Sequence, residues 1–214
     1  MRGVAEINTV PEEDTKDTRN ELWAAIILGI AATVTALAAW QAGVVGGDAA
    51  VARSDAAKHL ADANFFYSQG NQTSAADQAL FVPYASALNA GDQGLADYLQ
   101  TLMRPEMSDA VDWWNATEEA VTPFDEIEGN PYTLDDLEAA SAEQAESDTL
   151  SEKAEDLDAQ GDKYDLAGVI LAITLFFGGV ATLLNKQSVQ RALLGISLVT
   201  LLIGTAVFIQ GYTA

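Results

Sequence analysis

Few kinds of side chain in this chain can do chemistry. There is no cysteine and a single histidine, His59, so disulfides and thiolate catalysis are excluded and the usual zinc site lacks its ligands. His59 falls on a stripe of small residues, where it reads as an interface or solvent-edge residue. What remains is acid: 32 Asp and Glu against 10 Lys and Arg, a formal charge of -22. Pairs such as Asp135/Asp136, Glu118/Glu119 and Glu155/Asp156 could share acid and base roles. Each lies among further acids in a helical stretch, which is the pattern of a solvated face.

The segment "DEIEGNP" has the acids and the glycine of a calcium loop. Aligning Gly129 with that loop's glycine, however, puts Phe124 where the first ligand belongs. Weak, diffuse binding of divalent cations is the expectation instead, or an acidity adapted to salt. No phosphate-cradling glycine loop, nucleophile elbow or His-Glu-x-x-His pattern occurs. No catalytic, cofactor-binding or metal-ligating residue is assigned, no cofactor is expected, and an enzyme is the least expected class. The acidic charge of residues 48–165 also repels nucleic acid and anionic lipid.

The elements that carry these residues are set by charge patterning. No Asp, Glu, Lys, Arg or His occurs over 22–47, 166–185 or 192–214. Each run reaches about 20 residues, enough at about 1.5 Å per residue to cross a hydrocarbon core of about 30 Å. Three spans in a lipid bilayer are expected, the last over 192–212. The first could instead be a cleavable signal, since "TALAAWQAG" offers small residues. Its leader holds six acids, and its apolar run exceeds the roughly 7–15 residues of a signal core, so a retained anchor is the reading taken. Trp23 and Trp40, about 25 Å apart on a helix, are placed as anchors at opposite headgroup layers. A pair of core tryptophans is the alternative.

Sidedness follows from the stretch "LLNKQSVQRALL", which is basic and free of acid. Lys and Arg hold short connections on the cytoplasmic side, so Lys186 and Arg191 place a 186–191 turn inside. The tail 1–21 is then cytoplasmic and residues 48–165 extracytoplasmic, in a multi-pass protein of the cytoplasmic membrane. That exported stretch carries twenty-six acids and five Lys or Arg.

The fold class read from the sequence is an all-α membrane protein, with a helical hairpin or bundle inserted between spans one and two. No alternating β-branched run supports a strand. Ala49, Ala52, Ala56, His59, Ala63 and Phe66 form one helical stripe. Leu150, Ala154, Leu157, Gly161 and Tyr164 keep heptad spacing into the second span, after a cap at Thr133. Breaks are expected at the Gly43, Gly46, Gly47 joint, at Gly70 and over 89–94, with a helix start at Ser74 and another near Pro105. Phe65, Phe66, Tyr67, Tyr84, Trp113 and Trp114 are read as one aromatic cluster at the bundle tip, a core or else a ligand pocket.

Within the spans, small residues recur at Ala25, Gly29 and Thr33, at Thr174, Gly178 and Thr182, and at Thr200 and Gly204. Such spacing lets helices approach closely, within one chain or between copies. The absence of Asp, Glu, Lys, Arg and His disfavours a transporter, proton pump or voltage sensor.

Two stretches carry a likeness. Gln41, Ala42, Ser54, Asp55, Phe66, Tyr67 and Gln69 after the first span, with Lys186 and Arg191 in the closing hairpin, resemble a prokaryotic family of uncharacterised three-span membrane proteins, a domain of unknown function. The resemblance implies a topology and no activity, and residues 70–130 depart from it. The function expected is a non-enzymatic structural or interaction scaffold of the cell envelope, working as a homo-oligomer or with an envelope protein partner. The alternatives are an extracytoplasmic ligand-sensing subunit that signals through a partner, and a small channel subunit.

Overall fold

The computed structural model describes residues 12–117, 121–184 and 186–213, with side chains from Arg19 onward. Every regular element among them is helical: α1 (Glu12–Ala90), α2 (Gln93–Gln100), α3 (Pro105–Ala116), α4 (Asp135–Thr182) and α5 (Gln187–Tyr212). Three of them, α1, α4 and α5, are long and apolar enough to cross a membrane. The chain divides into two compact units, one of Met1–Arg53 with Glu152–Ala214 and one of Ser54–Ser151. The acidic pair Glu118/Glu119 lies outside the described residues, as do most of the tail 1–21 and Asn185.

In the first unit buried positions form series with a seven-residue step: Ala24, Ala31, Ala38, Val45 and Ala52 on α1, Tyr164, Leu171 and Gly178 on α4, and Gln190, Ser197, Gly204 and Gly211 on α5. Further buried residues lie three or four positions from these, among them Ile27 and Ala49, Ala167 and Thr174, and Leu194 and Leu201. A strict seven-residue step on 3.6-residue helices implies a left-handed supercoil. The glycines serve close approach. A Cβ on Gly178 would stand 2.9 Å from Leu28 and 3.0 Å from Ser197, and one on Gly204 would stand 2.8 Å from Leu171. Polar groups at this seam are satisfied within it, since Ser197 donates to the Thr174 carbonyl at 2.9 Å and the Thr174 hydroxyl to Thr200 at 2.8 Å. Such bonds matter where no water competes. The first-span triplet of Ala25, Gly29 and Thr33 is not part of this seam; all three are exposed.

In the second unit α1 and α4 run antiparallel. Ala56, Ala63, Gly70, Asp77 and Tyr84 are buried on α1 at the same step of seven, and Ala140 and Ser147 on α4.

Several expected breaks are absent. α1 passes without interruption through Gly43, Gly46, Gly47, Gly70, Ser74 and Pro83. Gly70 is a packing residue rather than a breaker: a Cβ there would lie 2.5 Å from Leu137. A helical glycine costs about 1 kcal/mol, and burial along the seam outweighs it. α1 instead stops at Gly91, whose φ of 75° is the left-handed conformation glycine adopts freely. The amide of Asp92 then bonds the Ala87 carbonyl, and the Asp92 side chain caps α2 at Leu95. Thr133 does not cap α4. The first helical carbonyl acceptor is Leu134, and the Thr133 carbonyl is taken by Arg104. The basic turn is also shorter than 186–191, because α5 begins at Gln187 and Arg191 lies on it.

Candidate functional site

The second unit ends in a small core built by α1, α2, α3 and the segment before α4. Tyr84, Ala87, Ala96, Met103, Met107 and Val111 are buried there, with Phe81, Trp114, Phe124 and Tyr132 packed against them. The aromatic rings meet edge to face. Phe81 lies 5.2 Å from Trp114 and 5.5 Å from Phe124, and Phe124 lies 5.0 Å from Tyr132. Edge-to-face pairs add about 0.5–1.5 kcal/mol beyond their buried area. The hydroxyl of Tyr84 accepts from Asn115 at 2.9 Å, so its polar end is satisfied.

Of the six aromatic residues grouped from sequence, two share this core, Tyr84 and Trp114. Trp113 sits at its edge with its indole nitrogen beside Gly129. Phe65, Phe66 and Tyr67 are elsewhere on α1. Phe65 and Phe66 meet edge to face at 5.7 Å, while Tyr67 borders a groove with Leu137 and Ser141. The reason is the missing break: eighteen residues of unbroken helix put Phe66 about 27 Å from Tyr84. The partners missed from sequence, Phe124 and Tyr132, come from "TPFDEIEGNPYT", which its Gly and Pro mark as a mere break.

A polar hub ties this core together. The Arg104 guanidinium donates from Nε to Asp77 at 2.8 Å, from one terminal nitrogen to Glu106 at 3.0 Å and from the other to the Thr133 carbonyl at 2.6 Å. Its face lies over the Tyr132 ring at 5.1 Å, and the Tyr132 hydroxyl donates to Asp77 at 3.0 Å. Asp77 is nearly fully buried, and Arg104 and Tyr132 supply its hydrogen bonds. Burial raises the Tyr132 pKa above its ordinary value, and the hydrogen bond and charge of Asp77 raise it further. Every nitrogen of the guanidinium is engaged. The hub therefore fixes α1, α3 and the segment before α4 to one another rather than offering a free charge to a ligand.

The loop acids are similarly occupied. Asp125 accepts from the Thr122 hydroxyl at 2.7 Å and from the amides of Val121 and Thr122. These bonds, the hydroxyl first, hold its pKa below the ordinary carboxylate value. Asn130 donates to the carbonyls of Pro123 and Asp125. Among the described residues no three His, Asp or Glu side chains converge as a metal site would require. A groove of about 460 Å³ is bordered by Ser74, Gln78, Asp125, Asn130, Tyr132 and Glu138.

Away from the tip, His59 faces Glu143 across the α1 and α4 pair, with Nδ1 2.6 Å from the carboxylate. This hydrogen bond raises the imidazole pKa. Partial burial opposes the rise, and the charges of Glu143, Glu146 and Asp62 add to it.

Helix α2 and the turn after it, 101–103, present apolar side chains in two directions. Ala96 and Met103 are buried in the core with Leu99 packed against it. Leu95, Tyr98 and Leu102, at i, i+3 and i+7, are 45%, 61% and 51% exposed. In the first unit, Trp23 and Trp40 are both exposed on α1, and Lys186 and Arg191 are exposed at the start of α5.

The chain matches no family model, no curated protein and no solved structure.

Proposed function

We propose that this is a non-enzymatic protein of the cytoplasmic membrane that holds its acidic helical unit outside the cell and docks an envelope protein on it. The observation that carries the reading is the outer face of α2. Leu95 and Tyr98 on α2 and Leu102 in the turn after it are exposed apolar side chains on one side, and such apolar stripes serve helix-in-groove recognition. The surroundings select the partner. Asp92 caps α2, Asp97 lies on it and Asp112 bonds Gln100 at its end, so the partner's contact surface is apolar with a basic rim. A second copy of the chain would bring like charge against like. The outward orientation rests on Lys186 and Arg191 beside the shortest connection between spans. The three-span family that the ends of the chain resemble has the same topology.

Photo-crosslinkers placed at Tyr98 and, as a control, at Gln72 in living cells test the docking. A discrete adduct with a different protein from Tyr98 alone supports it. An adduct of two copies, or no adduct above the Gln72 background, overturns it. A reporter active only outside the cytoplasm tests the orientation separately: it lights up at Asn89 and stays dark at Gln187, and the reverse pattern overturns the sidedness.

A ligand-sensing subunit is the second reading, favoured by the 460 Å³ groove with its mixed polar and apolar border. A thermal-shift screen of metabolites and divalent ions would promote it if one compound stabilised the chain and a bulky substitution at Gln78 abolished the effect.

A further inference from the structure

We infer that the groove between α1 and α5 is a binding site for one acyl chain of an anionic glycerophospholipid, whose phosphate is held by Arg191. The groove holds about 400 Å³, and its wall is Trp23, Ile27, Leu194, Leu198 and Leu201. Asn20 and Arg191 close one end. Asn20 is buried there and donates to Gln190 at 3.0 Å, so it is already satisfied. Arg191 is exposed and touches only the side chain of Gln187, at 3.4 Å; no carboxylate among the described residues pairs with it. Among the described residues, the one cation lining this apolar groove thus has no carboxylate partner.

Length identifies the occupant. Lining residues extend from Asn20 to Ile30 on α1 and from Arg191 to Leu201 on α5, ten residues and about 15 Å on each helix. That is half of a hydrocarbon core of about 30 Å, the depth of a single leaflet. An acyl chain lying in the groove therefore carries its own phosphate to the level of Arg191. A guanidinium binds phosphate oxygens through two parallel hydrogen bonds, and Trp23 sits at the same level, where indoles favour the headgroup layer. A lipid whose headgroup carries no cation leaves Arg191 as the natural counter-charge. The groove is also open where a chain would pass, since a Cβ on Gly195 would meet no atom within 4 Å. The inference rests on the helices crossing a bilayer, and holds whichever side the α4–α5 connection faces.

The test is native mass spectrometry of the full chain, released from detergent with phosphatidylglycerol or phosphatidylcholine added. Wild type is expected to retain one phosphatidylglycerol per chain in preference to phosphatidylcholine. Arg191→Gln should weaken phosphatidylglycerol retention about fivefold, the effect of one near-surface cation, and abolish the preference. Gly195→Phe fills the groove and should reduce retention of both lipids while leaving the melting temperature unchanged. Equal retention of the two lipids by wild type, or retention unaltered by Arg191→Gln, would mean annular lipid only and overturn the proposal. If Gly195→Phe fails to fold, the Arg191→Gln comparison decides alone. Neither variant touches α2, so failure here leaves the crosslinking result independent.

Discussion

Ser147 of α4 donates its hydroxyl to the backbone carbonyl of Ala56 on α1 at 2.9 Å, across a buried seam. A side chain can reach a neighbouring helix's main chain only where the helices nearly touch. Ala56, Ala63 and Gly70 make that approach possible by offering nothing larger than a methyl group. Ser147→Leu should therefore cost about 1–3 kcal/mol by overpacking, and Ser147→Ala about 1 kcal/mol for the lost bond. Denaturation followed by circular dichroism measures both; a Ser147→Leu variant as stable as wild type would contradict the seam.

The His59 and Glu143 pair makes stability pH-dependent with a definite sign. The folded imidazole pKa lies above 6.5, so the contribution is complete below pH 6.5 and is lost as pH rises through the folded value. The melting-temperature advantage of wild type over His59→Gln should shrink on going from pH 6 to alkaline pH. As His59 is the only histidine in the chain, its proton resonance reports the titration directly. A midpoint at or below the ordinary value would remove the pair.

At the tip, Asp77→Ala leaves the partly buried Arg104 without its main partner. Breaking a buried ion pair from one side costs about 3–5 kcal/mol, here reduced by the part of Arg104 that water reaches. The segment 121–134 should become the first site of limited proteolysis, because Arg104 and Asp77 anchor Tyr132 and Thr133. Unchanged cleavage would separate the hub from the order of that segment.

Two glycines on the spans should behave oppositely. Gly178→Ala must displace Leu28 or Ser197, endangering the Ser197 bond to Thr174. Gly29→Ala meets nothing and gains up to about 1 kcal/mol in helix propensity. Thermal melting in detergent should fall for the first and stay level or rise for the second. The reverse order would mean that Gly29, rather than Gly178, is the packed position.

The spans were legible because uncharged runs of such length have one common use, and the α1 stripe because 3–4 spacing of small residues is a periodic signal. The stop at Gly91 and the start at Pro105 were legible from local chemistry. Gly70 was not: a glycine that breaks a helix and one that admits a neighbouring Leu137 look the same until the partner is known. That single ambiguity wrongly united Phe65, Phe66 and Tyr67 with Tyr84 and Trp114. Phe124 and Tyr132 were hidden for a related reason. Their segment has no period, and its order comes from Asn130, Asp125 and Arg104, whose bonds are to distant or irregular backbone.

The repeat of seven on α1 and α4 acts as a ruler. Excising seven residues from each helix of the antiparallel pair returns every seam residue to an equivalent partner, whereas removing five rotates the seam residues off the interface. The length of the helix pair in the second unit is therefore quantised, and can be changed in whole steps of seven without redesigning the core at its end.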